Sequence, residues 1–126
     1  MDYIATNPDW VCPTSYGFVP DYGSVSQMLC NAIKRIPKFI GKPEPDMAIL
    51  AIEKTGYKKE ETLIMGDRLC TDIACGVNAI ISTVFVLNGE ETMEDVENSD
   101  KKPEFIYNNI KNFIKICSVI TKKTIV

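Results

Sequence analysis

Thr62-Leu63-Ile64-Met65-Gly66-Asp67-Arg68-Leu69-Cys70-Thr71-Asp72 is an apolar run that stops at Gly-Asp and passes through a polar turn to a second aspartate. Thr62 to Met65 are apolar or β-branched without alternation, the pattern of a strand covered on both faces in a parallel sheet. Gly66 lets the chain turn sharply, which puts Asp67 at the carboxyl edge of that strand, where open α/β sheets bind their ligands. Asp72 follows beside Thr71, near the expected start of a helix. Two carboxylates at one strand end make a hard oxygen site suited to Mg2+, which keeps several waters and needs only one or two protein carboxylates together with phosphate. The residues alone leave a second reading open, in which Asp72 or Thr71 caps the helix and Asp67 is a turn residue.

Upstream, Lys42-Pro43-Glu44-Pro45 is a stiff loop between the extended Phe39-Ile40-Gly41 and a helix that starts near Pro45 and closes at Gly56. Lys42 is thereby presented to solvent or to a ligand; a lysine of this kind balances phosphate charge as a point cation. Tyr3-Ile4-Ala5 predicts a short strand ended by Asn7-Pro8-Asp9, and a polar, proline-bearing loop then runs through Pro13, Gly17 and Pro20. Ser24 predicts the cap of a helix to about Arg35 whose Met28 and Leu29 belong to the core. Downstream, Asp72 to Ala79 is expected to be helical, and Ser82 to Leu87 forms a strand ended by Asn88-Gly89. Thr92 with Asp95 starts a short acidic helix. Pro103 to Tyr107 predicts an edge strand, Ile110 to Cys117 a closing helix, and Thr121 to Val126 a short tail that frays. Strands alternating with helices indicate an α/β fold with a mainly parallel sheet.

Composition narrows the functions. The 126 residues suffice for one domain and are too few for two ordinary ones. A net charge of -3 gives no electrostatic case for nucleic acid or an anionic membrane, and no apolar run approaches the ~20 residues that span a bilayer. The amino terminus has no basic segment leading into an apolar one, so a cytoplasmic protein is the expectation. Five cysteines without a CxxC pair indicate neither a disulfide framework nor a zinc knuckle. Histidine is absent, which excludes Ser-His-Asp and Cys-His chemistry and leaves carboxylates, lysines and a metal.

These segments together resemble the haloacid dehalogenase (HAD) superfamily, in its branch of sugar-phosphate and p-nitrophenyl phosphatases. The resemblance is carried by Tyr3-Ile4-Ala5-Thr6-Asn7-Pro8-Asp9, Gly41-Lys42-Pro43-Glu44-Pro45, Leu63 to Ile73, Gly76-Val77-Asn78-Ala79 and Val84-Phe85-Val86-Leu87-Asn88-Gly89. It implies a Rossmann-like three-layer α/β/α core and hydrolysis of a small phosphorylated metabolite with Mg2+. It also implies roles: Lys42 neutralises the nucleophile and the phosphoryl oxygens, Asp67 and Asp72 hold the metal, and Asn7 and Asp9 belong to a loop facing the substrate cleft.

One departure shapes the chemistry. The family's first motif is a strand ending in Asp-x-Asp, which supplies the nucleophile and the general acid-base, and Asp-x-Asp occurs nowhere in this sequence. The phosphate-binding Ser or Thr motif and the cap domain have no counterpart either, so residues 1–126 resemble the carboxyl-terminal part of such an enzyme as a single domain. The expectation is a truncated phosphatase with little or no turnover by itself, with Asp9 the one substitute nucleophile to consider. A non-catalytic metal- or phosphate-binding or protein-interaction module, half of a split enzyme, and a receiver-like doubly wound domain are the alternatives. The missing first strand would lie beside Leu63, leaving an apolar edge that invites a homodimer, a complementing amino-terminal half or a rearranged sheet.

Overall fold

The computed structural model describes residues 2–123. Its elements in chain order are β1 (Ile4–Ala5), β2 (Val11–Thr14), β3 (Gly17–Pro20), α1 (Tyr22–Ile33), β4 (Lys38–Phe39), α2 (Asp46–Thr55), β5 (Leu63–Gly66), α3 (Ala74–Ala79), β6 (Ser82–Val86), α4 (Met93–Asn98), β7 (Phe105–Tyr107) and α5 (Ile110–Lys123), with strand and helix alternating as expected from α1 onward. A wide π turn, Leu69–Ile73, leads into α3. The helix α5 runs on through Lys123, into the tail expected to fray; Thr124 to Val126 lie outside the described residues. No described helix is long and apolar enough to cross a membrane.

Three sheets share these strands. The largest is parallel, with order β5-β6-β7 and a register that sets Leu63 beside Ser82 and Val86 beside Tyr107. A parallel pair joins β1 to β4, and β2 with β3 makes an antiparallel hairpin. Among the described residues only β6 is flanked on both sides, and it carries the centre of the core: Val84 and Phe85 are fully buried. Phe85 packs with Leu69, Ile73 and Val96, and with the partly buried Val77 and Leu87. The metal-loop candidates therefore sit directly on the best-packed part of the chain.

Several local expectations hold because one or two neighbouring residues decide them. Pro45 precedes α2, Gly56 closes it in the left-handed conformation at φ 76°, and Thr92 with Asp95 forms a reciprocal capping box on α4. Others are corrected. The segment read as a loop through Pro13, Gly17 and Pro20 is the β2–β3 hairpin, turned at Gly17, where φ is 129°. Helix α1 is capped by Asp21, whose carboxylate accepts from the Tyr22 amide at 2.7 Å, while the Ser24 hydroxyl donates to the Trp10 carbonyl at 2.6 Å. Ser24 thus pins the helix to the hairpin and does not cap it.

Two burial expectations are also corrected. Met28 and Leu29 are 63% and 40% exposed, and the buried positions of α1 are Gly23 and Ser26. Leu63 is 45% exposed, because β5 has a neighbour on one side only among the described residues. The strand that reads as doubly covered is an edge, as the absence of a first-motif strand predicts.

The loop carrying Lys42 is seated by backbone contact. Gly41 lies so close to the Thr6 carbonyl that an added Cβ would overlap it, and the Ile40 amide donates to the Ala5 carbonyl at 3.0 Å beside it. Gly41→Ala is expected to cost about 1–3 kcal/mol, the usual penalty of overpacking against backbone that cannot rotate away. A urea unfolding midpoint equal to that of the unsubstituted chain would refute this.

Candidate functional site

The carboxyl end of β5 places the aspartates. Gly66 is the last residue of the strand, and the Asp72 side chain lies flat on it: a Cβ built on Gly66 would run into Cβ, Cγ and Oδ2 of Asp72. The π turn delivers this contact. Both the Asp72 and Ile73 amides donate to the Arg68 carbonyl, at 3.0 and 3.2 Å, so the turn holds an additional residue before α3 begins. Asp72 faces the strand end while Ile73 enters the core with no exposure.

Asp72 is 8% exposed, and a carboxylate so buried needs a partner. That partner is Lys42, whose Nζ donates to Oδ1 at 2.5 Å. Thirty residues apart in sequence, the two form an ion pair in which the carboxylate is nearly enclosed and the lysine side chain is half-exposed. The ammonium can therefore turn a second face toward a ligand. Asp67, half-buried, lies over Gly89, where an added Cβ would come within 2.9 Å of its Oδ2.

Lys42 does not float on its loop. Asp72, Cys75 and Asn78 recur every three residues along one face of the π turn and α3, and together they hold three consecutive residues of the loop. Asp72 takes the Lys42 ammonium, the Asn78 amide donates to the Pro43 carbonyl at 3.0 Å, and the Cys75 thiol donates to the Glu44 carbonyl at 3.2 Å. Burial pushes the Cys75 thiol up, opposed in part by the charge of Lys42. This thiol is a structural donor and not a nucleophile.

Asp9 and Asp67 line one cavity of about 600 Å³, together with Trp10, the hairpin residues Val11 and Phe18, and the charged Arg68, Glu90 and Glu91. Asn7 does not line it; its Oδ1 accepts from the Asp9 amide at 3.2 Å and so shapes the turn that presents Asp9. Glu91 accepts from the Leu69 amide at 2.6 Å, bracing the turn between the two aspartates. The predicted residues thus fall into two adjoining groups, Lys42 with Asp72, and Asp9 with Asp67. The Gly41–Thr6 and Gly66–Asp72 contacts join them.

The donor set is two carboxylates at a strand end, with no cluster of three or more His, Cys, Asp or Glu among the described residues. That fits a hydrated, phosphate-assisted Mg2+ and not a closed all-protein cage. Cys75 and Glu91 lie outside the motifs, and Asn78, inside the Gly76–Ala79 motif, carries no assigned role there. The three-residue spacing of Asp72, Cys75 and Asn78 is the signal that could have found two of them. Glu91 has no local signal, because its partner is 22 residues away.

Residues 39–113 match the HAD-hydrolase-like family. An acid sugar phosphatase from Staphylococcus aureus is 36% identical over 112 residues, 89% of this chain and 43% of the relative. A 4-nitrophenylphosphatase from Thermotoga maritima superposes with a TM-score of 0.75 at 43% identity, covering 86% of this chain and 42% of that one. A glycerol phosphate phosphatase from Mycobacterium tuberculosis, solved in complex with magnesium, superposes with a TM-score of 0.79 at 29% identity, over 86% and 33% of the two chains. The chain spans less than half the length of these relatives.

Proposed function

The chain belongs to the HAD-hydrolase-like family, and from that membership we propose that it forms, as one domain, the metal- and phosphate-holding part of a Mg2+-dependent phosphatase for small phosphate esters such as sugar phosphates. One observation carries the reading: Lys42 Nζ lies 2.5 Å from the enclosed Asp72 carboxylate, at the end of the strand that presents Asp67. Asp67 offers its oxygens to the cation, with Asp72 beside it anchoring Lys42. Bound Mg2+ supplies a Lewis acid for the phosphoryl oxygens. The half-exposed ammonium of Lys42 faces the same charge, and Asp9, in the turn shaped by Asn7, lines the approach of the substrate.

An attacking carboxylate is the component this sequence does not supply, since Asp-x-Asp is absent. Lys42, Asp67 and Asp72 can hold a phosphate and spread its charge, but the family's aspartyl-phosphate needs an acceptor that they do not provide. The open edge of β5 is where a completing strand would add, from a second copy or from a separately encoded amino-terminal half.

The test is an assay of the purified, folded chain on p-nitrophenyl phosphate with Mg2+, with Asp67→Asn run in parallel to expose a contaminating phosphatase. The expected result is no turnover above the Asp67→Asn level by the chain alone, and turnover once a polypeptide bearing the Asp-x-Asp strand is added. Activity of the chain alone that is lost in both Asp67→Asn and Asp9→Asn would overturn this reading and make Asp9 the nucleophile.

A further inference from the structure

The amide of Asn78 is held at both ends. Its Nδ2 donates to the Pro43 carbonyl at 3.0 Å, and its Oδ1 accepts from Lys101 Nζ at 2.9 Å. A carboxamide has one donor end and one acceptor end, so a cation on the oxygen fixes which end faces the loop. Lys101 comes from the segment between α4 and β7, 23 residues away, and its own amide donates to the Ser99 hydroxyl at 3.1 Å. Beneath the same loop the buried Cys75 thiol reaches Glu44. We infer that Asn78, oriented by Lys101, is a positioning residue that clamps the Lys42-Pro43-Glu44 loop onto the helix carrying Asp72, and so sets where the Lys42 ammonium meets phosphate.

This inference rests on the phosphate-facing role of Lys42 given above, so its test includes an arm that needs no ligand. Asn78→Asp keeps the partner of Lys101 but replaces the donor toward Pro43 with an acceptor, which reverses the clamp without changing side-chain size. Cys75, enclosed beneath the loop, reports loop lifting through its rate of alkylation by iodoacetamide, read at that residue by mass spectrometry. Affinities for Mg2+ and for inorganic phosphate with Mg2+, measured by calorimetry, report the site. Lys101→Met serves as the second variant, since it frees the Asn78 amide to flip and leaves α3 untouched.

In Asn78→Asp, alkylation of Cys75 is expected to accelerate and phosphate affinity to fall, each by roughly threefold to tenfold, the scale of one exposed hydrogen bond, while Mg2+ affinity stays within about twofold. Lys101→Met should shift both in the same direction by less. Unchanged alkylation and phosphate affinity in a folded Asn78→Asp chain would overturn the inference. So would a parallel loss of Mg2+ affinity, which marks general loosening of α3. If the unsubstituted chain binds phosphate no better than Lys42→Met, the role assigned to Lys42 fails; the alkylation arm then still decides whether Asn78 clamps the loop.

Discussion

Asp67→Asn is expected to weaken Mg2+ binding about a hundredfold and leave the fold in place, on the scale of removing one charged ligand from a two-carboxylate site. The replacement has the same shape, so the contact of residue 67 with Gly89 survives and β5 keeps its register with β6. The other carboxylate, Asp72, is buried and keeps Lys42 as its partner, so it compensates little for the lost ligand. Glu91 lines the same cavity but spends an oxygen on the Leu69 amide. Calorimetric titration of both chains with Mg2+ checks this directly. Equal affinities would remove Asp67 from the metal site, and Glu91→Gln would be the next substitution to titrate.

Gly66→Ala is expected to cut stability and metal affinity together, because the clash falls on a residue of the site itself. The new methyl would occupy the space now filled by Cβ, Cγ and Oδ2 of Asp72. Asp72 cannot retreat freely, because Lys42 holds its Oδ1 and the neighbouring Ile73 is locked in the core with Phe85. Either β5 shifts or the carboxylate is driven off the strand end. The expected loss is about 1–3 kcal/mol of stability from overpacking. Enough displacement of Asp72 should follow to weaken Mg2+ binding several-fold in whatever fraction stays folded. Thermal unfolding followed by circular dichroism, with and without Mg2+, separates the two effects. A melting temperature and a Mg2+-dependent shift both equal to those of the unsubstituted chain would show that residue 66 is not the seat of Asp72.

The difference between what the sequence discloses and what it conceals follows the reach of each interaction. Pro45, Gly56 and the Thr92–Asp95 pair act on their own turn of backbone, so α2 and α4 are legible from a few adjacent residues. The uninterrupted Thr83-Val84-Phe85-Val86 marks β6 for the same reason. The hairpin is hidden because Pro13 and Pro20 lack the amide a strand interior needs, and both are tolerated at the margin of a two-stranded sheet. Helix α1 misleads in another way. Its apolar spacing is that of a core helix, yet Met28, Leu29 and Ile33 remain exposed, since periodicity tells which face wants cover and not whether cover is present. Of the site, Asp67 and Asp72 are readable from strand, glycine and spacing. The family resemblance puts Lys42 and Asp72 in one site, but their ion pair spans 30 residues and, like the Asn78–Lys101 clamp, belongs to tertiary structure alone.

The wide turn at Leu69–Ile73 has a consequence for how such a site can change over evolutionary time. In a regular α-helix the angle between the residue that packs and the residue that faces the ligand is fixed by the repeat, so tuning one disturbs the other. One Arg68 carbonyl shared by two successive amides breaks that phase relation once, just before α3 begins. Ile73 and the helix behind it can then keep time with Phe85 and Val96, and Asp72 can keep time with Lys42. Substitutions that resize the core are thereby partly insulated from the spacing of the charged pair, and a deletion of one residue within the turn would couple them again.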